Sequence, residues 1–119
     1  MSTKAGFKQQ LFAQFARVGK ALSHGNRLEL LEFLAQGEHS VEALAKVAGL
    51  TVANASQHLQ QLRQAGLVES RKEGLKVYYR LSGEDVLGLF ESLRQVADPR
   101  EAGSAPWRDQ DHQRDWSRL

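Results

Sequence analysis

The chain's 119 residues, 41% hydrophobic and only two of them proline, suit one compact helical domain and are too few for two. The absence of cysteine excludes a disulfide framework, thiolate metal sites and thiol redox sensing. A formal net charge of +2 is too small for composition alone to indicate nucleic acid. No apolar run approaches the roughly 20 residues of a membrane-spanning helix. The N-terminal stretch MSTKAGFKQQLF lacks the apolar core of a secretory signal. A cytoplasmic protein is expected.

In chain order, a first helix is expected from about Gly6 to Leu22, with Phe7, Leu11, Phe12, Phe15 and Val18 forming a wide apolar stripe. A second, from about Asn26 to Ala35, turns Leu28, Leu31 and Leu34 inward and stops at Gly37. His24 reads as a capping residue at its entry. Ser40 is the expected N-cap of a third helix, in which Leu44, Ala45 and Ala48 form the apolar face and Gly49 supplies the C′ residue. Thr51 N-caps a fourth helix, whose Ala55, Leu59 and Leu62 recur at i, i+4 and i+7 and which Gly66 closes.

A hairpin then turns about Glu73-Gly74, with Val68 before the turn and Val77, Tyr79 and Leu81 on one face after it. Between Arg63 and Arg80, five basic residues (Arg63, Arg71, Lys72, Lys76, Arg80) stand against Glu69 and Glu73, a local balance of +3. Ser82-Gly83-Glu84-Asp85 resembles a capping box for a fifth helix carrying Val86, Leu89, Phe90, Leu93 and Val96. From Asp98 onward both prolines, mixed charges and few aliphatics read as a mobile tail, in which Trp107 and Trp116 could anchor to the domain or to a partner.

Helix-turn-helix followed directly by a basic ribbon is a winged helix. The expected fold is mainly α with a small β-hairpin: about five helices plus a two-stranded wing over residues 1–97, with a polar tail at 98–119. The stripes of the first and fifth helices exceed what a small trihelical core requires. Phe7, Leu11, Phe12 and Phe15 with Val86, Leu89, Phe90 and Leu93 are therefore expected to pair across a two-fold axis. Such a dimer places two reading helices about one duplex turn apart, roughly 34 Å.

On the fourth helix, the face opposite Ala55, Leu59 and Leu62 presents Asn54, Gln57, His58 and Gln61, side chains suited to base edges. Ser56 is short and better placed for a phosphate, and Thr51 and Arg63, the helix's one charge, near its C-terminus, complete the expected DNA-binding set on this helix. In the wing, Arg71, Lys72 and Lys76 flank the tip and would supply the nonspecific attraction.

Here a resemblance becomes specific. Ser56-Gln57-His58-Leu59, Ala65-Gly66-Leu67-Val68 and the Gly74-to-Tyr79 stretch GLKVYY, with one extra residue before its first Tyr, resemble the recognition helix and wing of the ArsR family of bacterial repressors. Ala21-Leu22-Ser23-His24-Gly25-Asn26-Arg27-Leu28 resembles the family's entry to its second helix, and the likeness covers about residues 10 to 97. It implies a homodimeric repressor that leaves a double-stranded operator when an effector binds. The subgroup it most resembles often carries a C-terminal rhodanese domain, for which the residues after the fifth helix are too few. Val52 stands where many members have Gln, so a base contact there becomes apolar, suited to a thymine methyl.

The family's thiolate positions near the third helix read Ser40 and Glu42. Its second metal site, across paired fifth helices, would fall on Asp85, Leu87, Asp98 and Glu101, without either imidazole. Neither set suits a soft or borderline metal, and the four histidines form no i, i+4 pair. No cofactor, no metal and no enzymatic activity is therefore expected, because Ser56 and His58 diverge on their helix and no carboxylate pair or glycine-rich phosphate loop occurs. The effector stays unidentified. The alternative function is a winged helix serving as a protein-interaction module through its Trp-bearing tail.

Overall fold

The structure is a computed structural model that describes residues 3–98, with side chains from Gly6 onward. The expected tail, with Trp107 and Trp116, lies outside the described residues after Asp98.

Five helices and three strands follow one another: α1 (Thr3–Leu22), α2 (Gly25–Leu34), β1 (His39–Ser40), α3 (Val41–Ala48), α4 (Val52–Gln64), β2 (Val68–Glu73), β3 (Lys76–Leu81) and α5 (Glu84–Ala97). The helix starts and stops follow from local chemistry. Ser40 Oγ accepts the Ala43 N–H at 3.1 Å, and Thr51 Oγ1 accepts that of Asn54 at 3.1 Å, so each satisfies one orphan donor of a first turn. At the other ends, Gly49 (φ +67°) and Gly66 (φ +82°) take left-handed backbone. The following residues then return to earlier carbonyls, Leu50 N–H to Ala45 O at 2.9 Å and Leu67 N–H to Leu62 O at 3.0 Å. Both are Schellman closures, and they set the α3–α4 turn and the exit into β2.

The apolar stripes of α2, α3 and α4 meet in one core. Leu30 and Leu31 of α2, Leu44 of α3, and Leu59 and Leu62 of α4 are all under 2% exposed, with Ala55, Val68 and Tyr79 around them. Each leucine so buried contributes about 1.5–3 kcal/mol relative to an exposed one. Among the described residues, no buried side-chain polar atom lacks a hydrogen-bond partner.

The wing is the expected two-stranded hairpin, β2 and β3, and its sheet gains one short strand from before α3. β1 pairs antiparallel with β3 (His39 opposite Tyr79, Ser40 opposite Tyr78), giving the order β1-β3-β2. A two-residue strand has no alternation to betray it, and the pairing exists only because folding brings β3 alongside. Strands β2 and β3 run in register from Val68 opposite Leu81 to Glu73 opposite Lys76, leaving the two-residue loop Gly74-Leu75. Gly74 alone has positive φ there (+62°), as the first central residue of a type II′ turn requires.

The expected capping box does not form. Ser82 Oγ donates instead to Gly66 O at 2.7 Å, tying the end of β3 to the exit of α4, and the Val86 N–H is accepted by Asp85 Oδ1 at 2.9 Å. His24 occupies the N-cap position of α2, yet its side chain makes no capping bond. By its contacts the chain divides after Val86 into two compact units. Val86 is buried in the first. In the second, α5 exposes Leu89, Leu93 and Val96 and half-buries Phe90. No helix among the described residues is long and apolar enough to cross a membrane.

Candidate nucleic-acid interface

Helix α4 buries one stripe and presents the rest. Because Ala55, Leu59 and Leu62 are wholly inaccessible, the opposite face, with Asn54, Gln57 and Gln61, is held out to solvent, and Val52 is half exposed at the start of the helix, nearer the buried stripe. The opposite face carries amide side chains and no acid, a hydrogen-bonding surface of the kind that reads base edges. Thr51 is committed to its cap. A second stripe, Ser56, Gln60 and Arg63 at i, i+4 and i+7, faces the wing. Together with Ser70 and Lys72 of β2 and the buried ring of Tyr79, it lines a cleft of about 470 Å³ between reading helix and sheet. Gln60, Ser70 and Tyr79 were not expected there. The i, i+4, i+7 spacing on α4 and the strand alternation through Val68, Ser70 and Lys72 are the signals that could have found the first two. Burial pushes the Tyr79 phenol above its ordinary pKa, against the smaller opposing pull of Arg63.

His58 departs from its expected place among the base readers. Its Nδ1 accepts from Arg27 Nε at 3.2 Å, and its ring lies against that of His24, with centroids 4.5 Å apart and planes inclined at 54°. Arginine can only donate, so Nδ1 must be unprotonated and the imidazole neutral, with its proton on Nε2. Desolvation, with smaller contributions from His24 and Arg27, lowers the pKa of His58 below the ordinary value of 6.5. His58 is thus a tether between α4 and the start of α2.

The basic residues of the wing are likewise unequal. Arg71 donates to both carboxylate oxygens of Glu38 (2.8–3.1 Å) and to Glu73 at 2.6 Å, and its guanidinium lies 4.6 Å over the Tyr78 ring. The Glu38 bond is also the main cause holding that carboxyl below its usual range and raising Arg71. Arg80 pairs with Glu69 at 3.0 Å. Lys72 and Lys76 are exposed, and no acceptor among the described residues holds either ammonium. Leu75, at the tip, is fully exposed.

The thiolate-equivalent positions have no ligating arrangement: Ser40 is engaged as a cap and Glu42 points to solvent. Glu101 lies outside the described residues. Among the described residues no group of three or more His, Asp or Glu is placed to hold a metal. The expected dimer residues Phe7, Leu11, Phe12 and Phe15 are exposed along α1, at 66%, 38%, 56% and 54%, with Phe12 and Phe15 edge to face at 5.2 Å. Val86, expected among them, is covered within its own protomer.

A helix-turn-helix domain family matches residues 22–71. The chain is 50% identical over 98 residues to the HTH-type transcriptional regulator Rv0324 of Mycobacterium tuberculosis, covering 82% of this chain and 43% of that protein. It is 40% identical over 77 residues to the biofilm growth-associated repressor of Agrobacterium fabrum, covering 65% and 66% respectively. The chain therefore spans less than half the length of the first of these relatives. Among solved structures, it superposes with a TM-score of 0.75 and 50% identity on the homodimeric winged helix-turn-helix DNA-binding domain (fragment 1–100) of Mb0332 from Mycobacterium bovis, described as a possible ArsR-family transcriptional regulator. That match covers 82% of this chain and 88% of the other.

Proposed function

The chain belongs to the ArsR family of winged helix-turn-helix transcriptional regulators, and on that premise we propose that it binds a double-stranded operator as a homodimer and represses transcription until an effector other than a thiolate-bound metal releases it. The observation that carries this reading is the acid-free amide face of α4 beside a basic cleft shared with the wing. Asn54, Gln57 and Gln61 read bases, Val52 supplies an apolar contact, and Ser56, Gln60, Arg63, Ser70 and Lys72 receive the phosphate backbone where it passes between helix and ribbon. This role is one of binding rather than catalysis, exercised in the cytoplasm.

Dimerisation is supported by the exposed phenylalanines of α1, whose apolar area calls for a cover, and by the homodimeric state of the M. bovis relative. A second copy supplies that cover and repeats the reading helix for a two-fold symmetric site. The alternative, a protein-interaction module built on Trp107 and Trp116, has no comparable support among the relatives.

The test is selection of binding sites from a random duplex library, followed by Gln57→Ala on the enriched sequence. Loss of about 1–3 kcal/mol on that sequence, with little change on random duplex, is expected. Failure to enrich any sequence, or equal losses on both, would refute base reading by α4.

A further inference from the structure

A second basic cleft lies on the other side of α4, where α1, α2 and the C-terminal end of α4 meet. It measures about 210 Å³, and its walls carry Arg17, Lys20, Arg27, Gln61 and Gln64 with no carboxylate among them. Its hydrogen-bonding capacity is largely unengaged. The Lys20 ammonium and the side-chain amides of Gln61 and Gln64 have no partner among the described residues. Arg17 donates one N–H to the Gln64 carbonyl. That bond neutralises the negative end of α4 and leaves the rest of the guanidinium fork free. Arg27 stands in the first turn of α2, whose N-terminus has no side-chain cap, so its dipole adds to the positive field. Three cations with no acid to balance them make a site complementary to an anion with several acceptor oxygens.

Arg27 also gives this cleft a consequence, because the guanidinium on its wall is the one that donates to His58 Nδ1. We propose that the cleft binds a small multivalent oxyanion, phosphate or carboxylate in chemistry, and that this ligand competes with His58 for Arg27. Occupancy withdraws the tether between α2 and the reading helix. It also places a negative charge beside Gln61, on the face presented to DNA. An effector would thus act on the reading helix itself, with no need of thiolate ligands, since the sequence contains no cysteine.

The probe is inorganic pyrophosphate, titrated into the DNA-free, full-length protein at constant ionic strength and followed by NMR, with chloride as the control. The expected result is saturable movement of the Lys20, Arg27 and Gln64 amides together with the His58 ring signals. Lys20→Gln should weaken binding about tenfold and Lys20→Arg should restore it. Linear shifts matched by chloride, or saturation that leaves the His58 ring unmoved, would overturn the proposal. A duplex phosphate is the other source of the same chemistry. If Lys20→Gln weakens operator binding while the DNA-free protein binds no pyrophosphate, the cleft is a backbone contact and the free-anion site is refuted. Because the titration contains no DNA, it stands or falls separately from the operator reading.

Discussion

Replacing Lys72 by alanine should reduce the salt dependence of operator binding, whereas Arg71→Ala should leave it nearly unchanged. Both are basic residues of β2, one position apart, and a count of charges would treat them alike. The structure separates them. Lys72 is exposed and holds no carboxylate, so its contact with a phosphate releases a counterion with nothing to exchange. Arg71 already grips Glu38 through both oxygens, reaches Glu73 at 2.6 Å and rests on Tyr78. Turning it to DNA would free two carboxylates beside the duplex and cancel the gain. Each phosphate neutralised contributes about −0.9 to the slope of log K against log salt. Lys72→Ala should therefore flatten the slope by about 0.9 per protomer, or roughly a 3–4-fold smaller loss per protomer between 50 and 200 mM salt. Fluorescence anisotropy on a labelled operator at several salt concentrations measures this directly. If Arg71→Ala flattens the slope as much as Lys72→Ala does, the Glu38–Arg71–Glu73 cluster opens on DNA and the distinction is wrong.

Other expectations follow from the same geometry. His58 has its pKa lowered in the fold, so the folded protein binds fewer protons than the unfolded chain just below pH 6.5. Its contribution to stability is complete above that pH and is lost as pH falls through the depressed value. Urea midpoints from pH 7.5 to 5 should decline for the native sequence and decline less for His58→Gln; parallel profiles would exclude His58 as the titrating group. Leu59→Ala, at a site with no solvent exposure, should cost about 2–5 kcal/mol in urea unfolding. Phe12→Glu should convert the dimer to monomer in sedimentation velocity while leaving the helical circular dichroism intact, because Phe12 is 56% exposed within the protomer. A persistent dimer would place the interface elsewhere.

Much of the scaffold is legible in the sequence, and for local reasons. Ser40 and Thr51 cap because a side-chain oxygen at the N-cap reaches the N–H three residues on, and Gly49 and Gly66 end helices because their positive φ is open to glycine. The hairpin and the stripe Ala55, Leu59 and Leu62 follow from periods of two and 3.6, which need only the residues themselves. The amide face of α4 follows as the complement of that stripe.

What folding alone decided lies in contacts between elements distant in the chain. Strand β1 exists because β3 arrives beside it. Ser82, which had every local credential for a capping box, gives its hydroxyl to Gly66, sixteen positions earlier. His58 and Arg71 both belong to the expected DNA-binding set by type and position, but Arg27 (31 residues away) and Glu38 (33 residues away) engage them. Capping and periodicity act over three to seven residues, so the sequence by itself determined the elements and their faces. Which polar groups remain free for DNA depends on the neighbours that tertiary packing brings within about 3 Å, and only the folded structure decides that.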